Sequence, residues 1–216
     1  MQSLHDIGNK HKTDKAHLTH TFNDLSYLDI YEKYFYELRE NEITILEMGV
    51  KEGRSLKVWE DYFPNAKIIG LDLYTDNINI NLKRSKIFTG SQDDISKLQE
   101  ILDFSPAGFD IVIDDASHLN QMIITSFNFL WPKIKASGFY IIEDLRNSYD
   151  WNIQEQMIKG GWNVAQPNGT NLHNDRSVIN KLFFDLIKNM DHLSGDMGFM
   201  HFWPMLAILG KVDKTK

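Results

Sequence analysis

The sequence predicts a doubly wound α/β domain with a mostly parallel sheet, and three observations carry that prediction. Five short apolar runs, at 44–50, 67–73, 86–90, 109–115 and 139–145, alternate with amphipathic segments of helical period. Runs that are apolar on both faces and separated by helices belong to a parallel sheet covered on both sides. Two further runs, at 199–202 and 207–212, flank Pro204 and read as an antiparallel β-hairpin, which brings the sheet to seven strands. Carboxylates fall where the parallel runs end, the side on which open sheets of this kind bind ligands.

Taken in chain order, residues 1 to about 24 are polar, with Lys10, Lys12, Asp14 and Lys15 among histidines and no clear period. They read as an arm or lid outside the core. Between 25 and 39, Leu28, Tyr31, Phe35 and Leu38 recur at three and four residues, the stripe of an amphipathic helix. Helices are expected at 55–62, 93–104 and 121–134, the last interrupted near Pro132, whose missing N–H ends a helix. Residues 147–174 are rich in Asn, Gly, Gln and Trp, lack a period and exceed the usual length of a connection. Within them, Asn168-Gly169-Thr170 reads as a turn and not as a glycosylation site. From 176 to 190, Ile179, Leu182, Phe183, Leu186 and Met190 give a final helix before the hairpin. No repeat or linker divides the 216 residues, so one domain is expected over 1–216, with 1–40 an arm and helix and 41–216 the core.

Composition narrows the function. With 42% hydrophobic and 25% charged residues the chain is globular, and a net charge of −7 repels nucleic acid and anionic membranes. The absence of cysteine removes disulfides, thiolate metal sites and a thiol nucleophile, leaving oxygen and imidazole for any metal. No stretch reaches the length of a signal-peptide core or a membrane span, so a cytoplasmic protein is expected.

Glu47 lies in the first run, Asp72 near the end of the second, Asp114 and Asp115 at the end of the fourth, and Glu143 and Asp144 at the end of the fifth. A single such acid can be a helix N-cap, and Asp72 or Asp93 alone could be read that way. Acids repeated over four strands meet at one rim, and packing them together is costly unless a cation or hydroxyl donors compensate. Asp115, Glu143 and Asp144 offer the oxygen ligands that Mg²⁺ or Mn²⁺ prefers, with His118 three residues beyond Asp115. His118 taken alone could equally be solvated or a cap, and the pair His17 and His20 is expected to be solvated.

The first run leads into Gly49-Val50-Lys51-Glu52-Gly53, a glycine turn opening a helix. Lys51 and Glu52 break the spacing that a dinucleotide pyrophosphate needs, and Glu52 would repel phosphate. A phosphate-free cofactor carrying positive charge and a ribose suits this turn, and S-adenosylmethionine has those properties. Asp72 can accept both ribose hydroxyls, and Asp93 is placed to meet the adenine.

At these residues the chain resembles the class I, Rossmann-like S-adenosylmethionine-dependent methyltransferases of the macrocin and mycinamicin sugar O-methyltransferase type. Lys12-Thr13-Asp14-Lys15, Ile45 to Val50 with Gly53, Ser55, Leu56 and Trp59, Phe63 to Asp72, Gln92-Asp93, Ile113 to His118 and Tyr140 to Leu145 carry the resemblance, which covers about residues 10–146. It implies Asp115, Glu143 and Asp144 as ligands of Mg²⁺ or Mn²⁺, and His118 with Asp115 as the catalytic pair, His118 being the general base. It implies cofactor contacts at Glu47, Gly49, Gly53, Ser55, Asp72, Gln92, Asp93, Thr13 and Lys15. Ala116 stands where glycine is common in this motif, Lys51 and Arg54 bring charge to the cofactor turn, and His17 to Phe22 fit the arm poorly.

The expected reaction is methyl transfer to one hydroxyl of a vicinal diol, whose acidity a metal would raise before His118 takes the proton. A glycoside or nucleotide-linked sugar is the acceptor the resemblance implies. A catechol-like diol is the alternative, and a metal-dependent hydrolase or a non-catalytic nucleotide-binding module is a rival from another class. Tyr149, Trp151, Trp162 and Trp203 are candidate sugar-stacking faces, and His173 and His201 are weaker candidates in the later loops. A homo-oligomer is compatible with the sequence, which does not specify one.

Overall fold

The structure, a computed structural model, describes residues 2–17, 24–149 and 176–213. Seven strands form one sheet: β1 (Thr44–Met48), β2 (Lys67–Asp72), β3 (Ser85–Thr89), β4 (Phe109–Asp114), β5 (Ile134–Ile142), β6 (Met197–Trp203) and β7 (Leu206–Lys211). Their order is β3-β2-β1-β4-β5-β7-β6. Neighbours from β3 through β5 are parallel, while β7 runs antiparallel to both β5 and β6. The mostly parallel sheet with its hairpin therefore stands as the sequence predicts.

Alternation along the strands sorts the core into two layers, because successive side chains point to opposite faces. Ile45, Ile68, Ile111, Ile113, Ile141 and Ile208 pack into one buried cluster. Their chain neighbours Leu46, Ile69, Val112, Tyr140, Ile142 and Leu209 pack into the other. The first face is covered by α1 (Leu4–His11), α2 (Tyr27–Phe35) and α3 (Arg54–Tyr62). The second is covered by α4 (Ile95–Phe104), α5 (Asn120–Leu130) and α6 (Arg176–Asp191).

Helix α1 corrects the sequence reading of the N-terminus. Ser3 caps it by accepting the Asp6 N–H, and Leu4, Ile7 and Gly8 are buried on its inner face. A Cβ at Gly8 would lie 2.2 Å from the Leu28 side chain, so glycine permits α1 to meet α2 closely. Burying Leu4 and Ile7 contributes on the order of 1.5–3 kcal/mol each. Two apolar residues among charges are too short a stripe to register as a period, yet they make this segment part of the core.

Two boundaries also shift. The helix expected to reach 134 ends at Leu130, Pro132 sits in a 3-10 turn over Trp131–Lys133, and Ile134 already begins β5, five residues before the predicted start. Asp94, and not Asp93, is the N-cap of α4, accepting the N–H groups of Ser96 and Lys97. No helix among the described residues is long and apolar enough to cross a membrane.

Candidate active site

Strand order reverses between β1 and β4, since β1 continues to β2 on one side and β4 to β5 on the other. Ligand crevices of open sheets form at such a reversal, beyond the carboxyl ends of the strands. Gly49 follows β1 and Asp115 follows β4, and the two loops touch there. Gly49 has φ +87°, and a Cβ on it would lie 2.0 Å from the Asp115 carbonyl oxygen. Only glycine fits that close approach. A cavity of about 900 Å³ opens at this point, with Thr13, Lys15, Gly49, Ser55, Asp72, Gln92, Asp115, His118 and Asp144 among its lining residues.

One half of the cavity is built on the ends of β1 and β2. The Asp72 carboxylate accepts the Lys51 N–H through Oδ2 at 2.7 Å and the Tyr74 N–H through Oδ1 at 2.9 Å. Each oxygen has a second lone pair, so the carboxylate, fixed by its own loops, can still receive hydroxyl donors. Tyr74 and Asn77 extend the wall beyond it. Gln92 lines the cavity while its amide is committed elsewhere: Nε2 donates to Asp114 Oδ1 at 2.8 Å, and Oε1 accepts the Ser117 N–H at 2.7 Å.

Three expected cofactor contacts lie behind the wall. Gly53, at φ +81°, is the N-cap of α3. Asp93 is buried and accepts from Ser91 Oγ at 2.5 Å. Glu47 is fully buried in β1, where Oε2 accepts the Trp59 indole N–H at 2.7 Å and Oε1 lies 3.3 Å from Lys15 Nζ without an aligned hydrogen bond. The inward-facing position of Glu47 in a strand buried on both faces accounts for its placement. Burial pushes its carboxyl above the usual range, against the pull of the Lys15 charge.

The other half gathers the acids of β4 and β5. Lys15, whose side chain is 4% exposed, reaches into them from the short 3-10 turn after α1. Its ammonium donates to Asp115 and, at 2.8 Å, to both oxygens of Glu143. Burial opposes that charge, but Asp115, Glu143 and Glu47 outweigh it and hold the Lys15 pKa well above its ordinary value. Tyr31 OH donates to Glu143 Oε1 at 2.6 Å, and Tyr27 OH donates to Asp144 Oδ1 at 2.7 Å. Burial raises the pKa of Asp115 and of Glu143, with Lys15 pulling both down.

His118, at φ +56°, faces the cavity and places Nε2 3.7 Å from Asp144 Oδ2. Asp115, His118 and Asp144 each present a ligand atom within 4.8 Å of the other two. Carboxylate oxygens with an imidazole, and no thiolate, fit a hard divalent ion such as Mg²⁺ or Mn²⁺. Three carboxylates, Glu47, Asp115 and Glu143, share the single Lys15 ammonium, an excess of negative charge that a further cation would compensate. Glu143, the third acid expected on the metal, is instead covered by Lys15 and Tyr31 and is not on the cavity wall.

Asp114, adjacent to Asp115, points the other way into the core and accepts from Gln92, Ser126 and Tyr140. It anchors Gln92, which in turn holds the Ser117 N–H of the loop carrying His118. Tyr31 was read only as part of the core stripe with Leu28, Phe35 and Leu38, and Tyr27 was not singled out, so neither was expected at the site. Their signal was the hydroxyl, which needs a partner when buried. Trp203 and His201 lie on β6, both bonded to Tyr34, and Tyr149 is stacked against Arg176. His17 lines the cavity, whereas His20, Trp151, Trp162, Asn168 and His173 lie outside the described residues.

The chain resembles known proteins in both sequence and fold, although no protein-family model matches it. It is 37% identical over 147 residues to the 8-demethyl-8-(2-methoxy-alpha-L-rhamnosyl)-tetracenomycin-C 3'-O-methyltransferase of Streptomyces olivaceus, a match covering 65% of this chain and 36% of the other. It is 33% identical over 154 residues to the mycinamicin VI 2''-O-methyltransferase of Micromonospora griseorubida, covering 68% and 37%. The matches thus cover little more than a third of those relatives' length. Among solved structures, the MycE methyltransferase of the mycinamycin pathway, in complex with Mg, SAH and mycinamycin VI, superposes on the whole chain and 56% of its own, with a TM-score of 0.74 at 26% identity. In sequence and in sheet topology, this chain is thus similar to O-methyltransferases named for mycinamicin and rhamnosyl-tetracenomycin substrates.

Proposed function

We propose that this chain is an S-adenosylmethionine-dependent and divalent-metal-dependent O-methyltransferase acting on a sugar hydroxyl that has a neighbouring hydroxyl. One observation carries the reading: Asp115, His118 and Asp144 converge on the same cavity whose other half is formed by Gly49 and Asp72. A volume of about 900 Å³ suits a nucleoside cofactor together with a sugar-sized acceptor. The named relatives methylate glycosides, which supports the acceptor class.

In this reading Asp72 accepts the ribose hydroxyls, and Gly49, with no side chain, lets the cofactor approach the β1 turn. Asp115 and Asp144 would hold the metal, and Glu143 would join them once Lys15 no longer covers it. The bound metal supplies positive charge that makes a neighbouring hydroxyl more acidic, and the sulfonium supplies the methyl group. His118 accepts the hydroxyl proton as the oxygen takes the methyl group and the carbon–sulfur bond breaks. Tyr27 and Tyr31 keep the acids oriented, which preserves the angle of attack. Asp114 and Gln92 position the loop from which His118 projects.

The acceptor is proposed as a small-molecule glycoside or nucleotide-linked sugar, and the setting as cytoplasmic. Labelled methyl transfer from S-adenosylmethionine to rhamnosides, nucleotide-linked sugars and catechol, each with Mg²⁺ or excess chelator, tests this. Label on a sugar hydroxyl that disappears with the chelator is the expected result. Label on catechol alone would move the acceptor class. Stabilisation by NAD but not by S-adenosylhomocysteine, or transfer undiminished by the chelator, would overturn the reading.

A further inference from the structure

Lys15 is the residue whose placement the proposed chemistry does not use. Its ammonium is buried against three carboxylates that come from three different strands or strand ends, Glu47, Asp115 and Glu143. Two of these, Asp115 and Glu143, are acids on which the proposed function puts or borders a divalent ion. Both cations would seek the same oxygens, and two positive charges a few ångströms apart repel strongly in a buried setting. Lys15 is also carried on a short segment, with Thr13 and Asp14, that lines the cavity.

Resting on the proposed metal dependence, we infer that the Lys15 ammonium and the divalent ion compete for Asp115 and Glu143, so that metal loading displaces Lys15 and moves the Thr13–Lys15 wall. Lys15 is thus a positioning residue that links the N-terminal segment to the metal. Linkage is reciprocal: whatever fixes Lys15 on the acids weakens metal binding by the same factor. The remaining partner for the displaced ammonium is Glu47, whose Oε1 has no aligned hydrogen bond and lies 3.3 Å away.

The test is Mn²⁺ titration followed by the electron paramagnetic resonance signal of the free ion, on the wild type, Lys15→Met and Lys12→Met. Lys12 lines the same cavity but is not paired with these acids, so it controls for loss of one positive charge. Expected is at least tenfold tighter Mn²⁺ binding by Lys15→Met and less than a twofold change in Lys12→Met. Equal or weaker binding by Lys15→Met overturns the inference while leaving metal dependence intact. Binding by neither wild type nor Lys15→Met overturns the metal reading and the inference with it. Should Lys15→Met fail to fold, trypsin cleavage of wild type decides: saturating Mn²⁺ should speed nicking at Lys15–Ala16 relative to Lys12–Thr13, and unchanged protection there refutes displacement.

Discussion

The two halves of the cavity satisfy their carboxylates in opposite ways. On the cofactor side, Asp72 is held by backbone N–H groups of Lys51 and Tyr74, from the loops that immediately follow β1 and β2. On the acid side, Asp115, Glu143 and Asp144 are held by side chains more than 90 residues away in sequence, those of Lys15, Tyr31 and Tyr27. Backbone donors of a tight loop are fixed as soon as the strand and turn form. Side-chain donors arrive only when α1, α2 and the turn between them pack on the sheet. The cofactor half therefore depends on the β1–β2 unit, and the acid half depends on the whole N-terminal region.

The largest expected effect lies in the acid half. His118→Ala should lower kcat by about 10²–10⁴-fold while the affinity for S-adenosylhomocysteine stays within about threefold, as seen by single-turnover kinetics and calorimetry. Equal loss of both would mean that the halves are not separable. A smaller effect follows from Tyr31→Phe, which leaves Glu143 without one buried donor. It should cost about 1–3 kcal/mol of unfolding free energy in a denaturant melt, again with cofactor affinity preserved. An unchanged midpoint would show that Lys15 alone satisfies Glu143.

The smallest effect tests how α1 is docked. Burial by itself would raise the Asp61 pKa, but hydrogen bonds from Lys10, His11 and Lys57 pull it well below the usual carboxylate range. A depressed folded-state pKa gives stability that is present above the unfolded value of about 4 and is lost as pH falls toward the folded value. Asp61→Asn should therefore flatten the decline of the wild-type melting temperature below about pH 4, with a loss of roughly 1 kcal/mol or less at pH 7. Parallel acid limbs for the two proteins would remove Asp61 as the anchor of α1.

The same contrast explains what could be read from the sequence. Strand ends, the Gly49 turn, Asp72 and the Asp115 to His118 segment are local patterns, and the sheet brings them to one rim as expected. The helix α1 escaped because Leu4 and Ile7 give too little periodicity among lysines and histidines. Lys15 and Tyr31 were legible as residues but not as partners of Glu143, since pairing across more than 100 positions leaves no spacing to recognise. Glu47 and Asp93 were expected at the cofactor; the strand covered on both faces buries Glu47, Asp93 is buried and bonded to Ser91, and neither lines the cavity.

One cavity joins the half proposed for the cofactor to the half proposed for the metal, and each half has its own supports. Equilibrium binding of S-adenosylhomocysteine and of Mn²⁺ to Asp72→Ala and Asp115→Asn tests this separation most directly. Asp72→Ala is expected to weaken nucleoside binding about 10–100-fold and spare Mn²⁺, while Asp115→Asn does the reverse. Retention of Mn²⁺ by Asp115→Asn, or loss of both ligands in either variant, would contradict it.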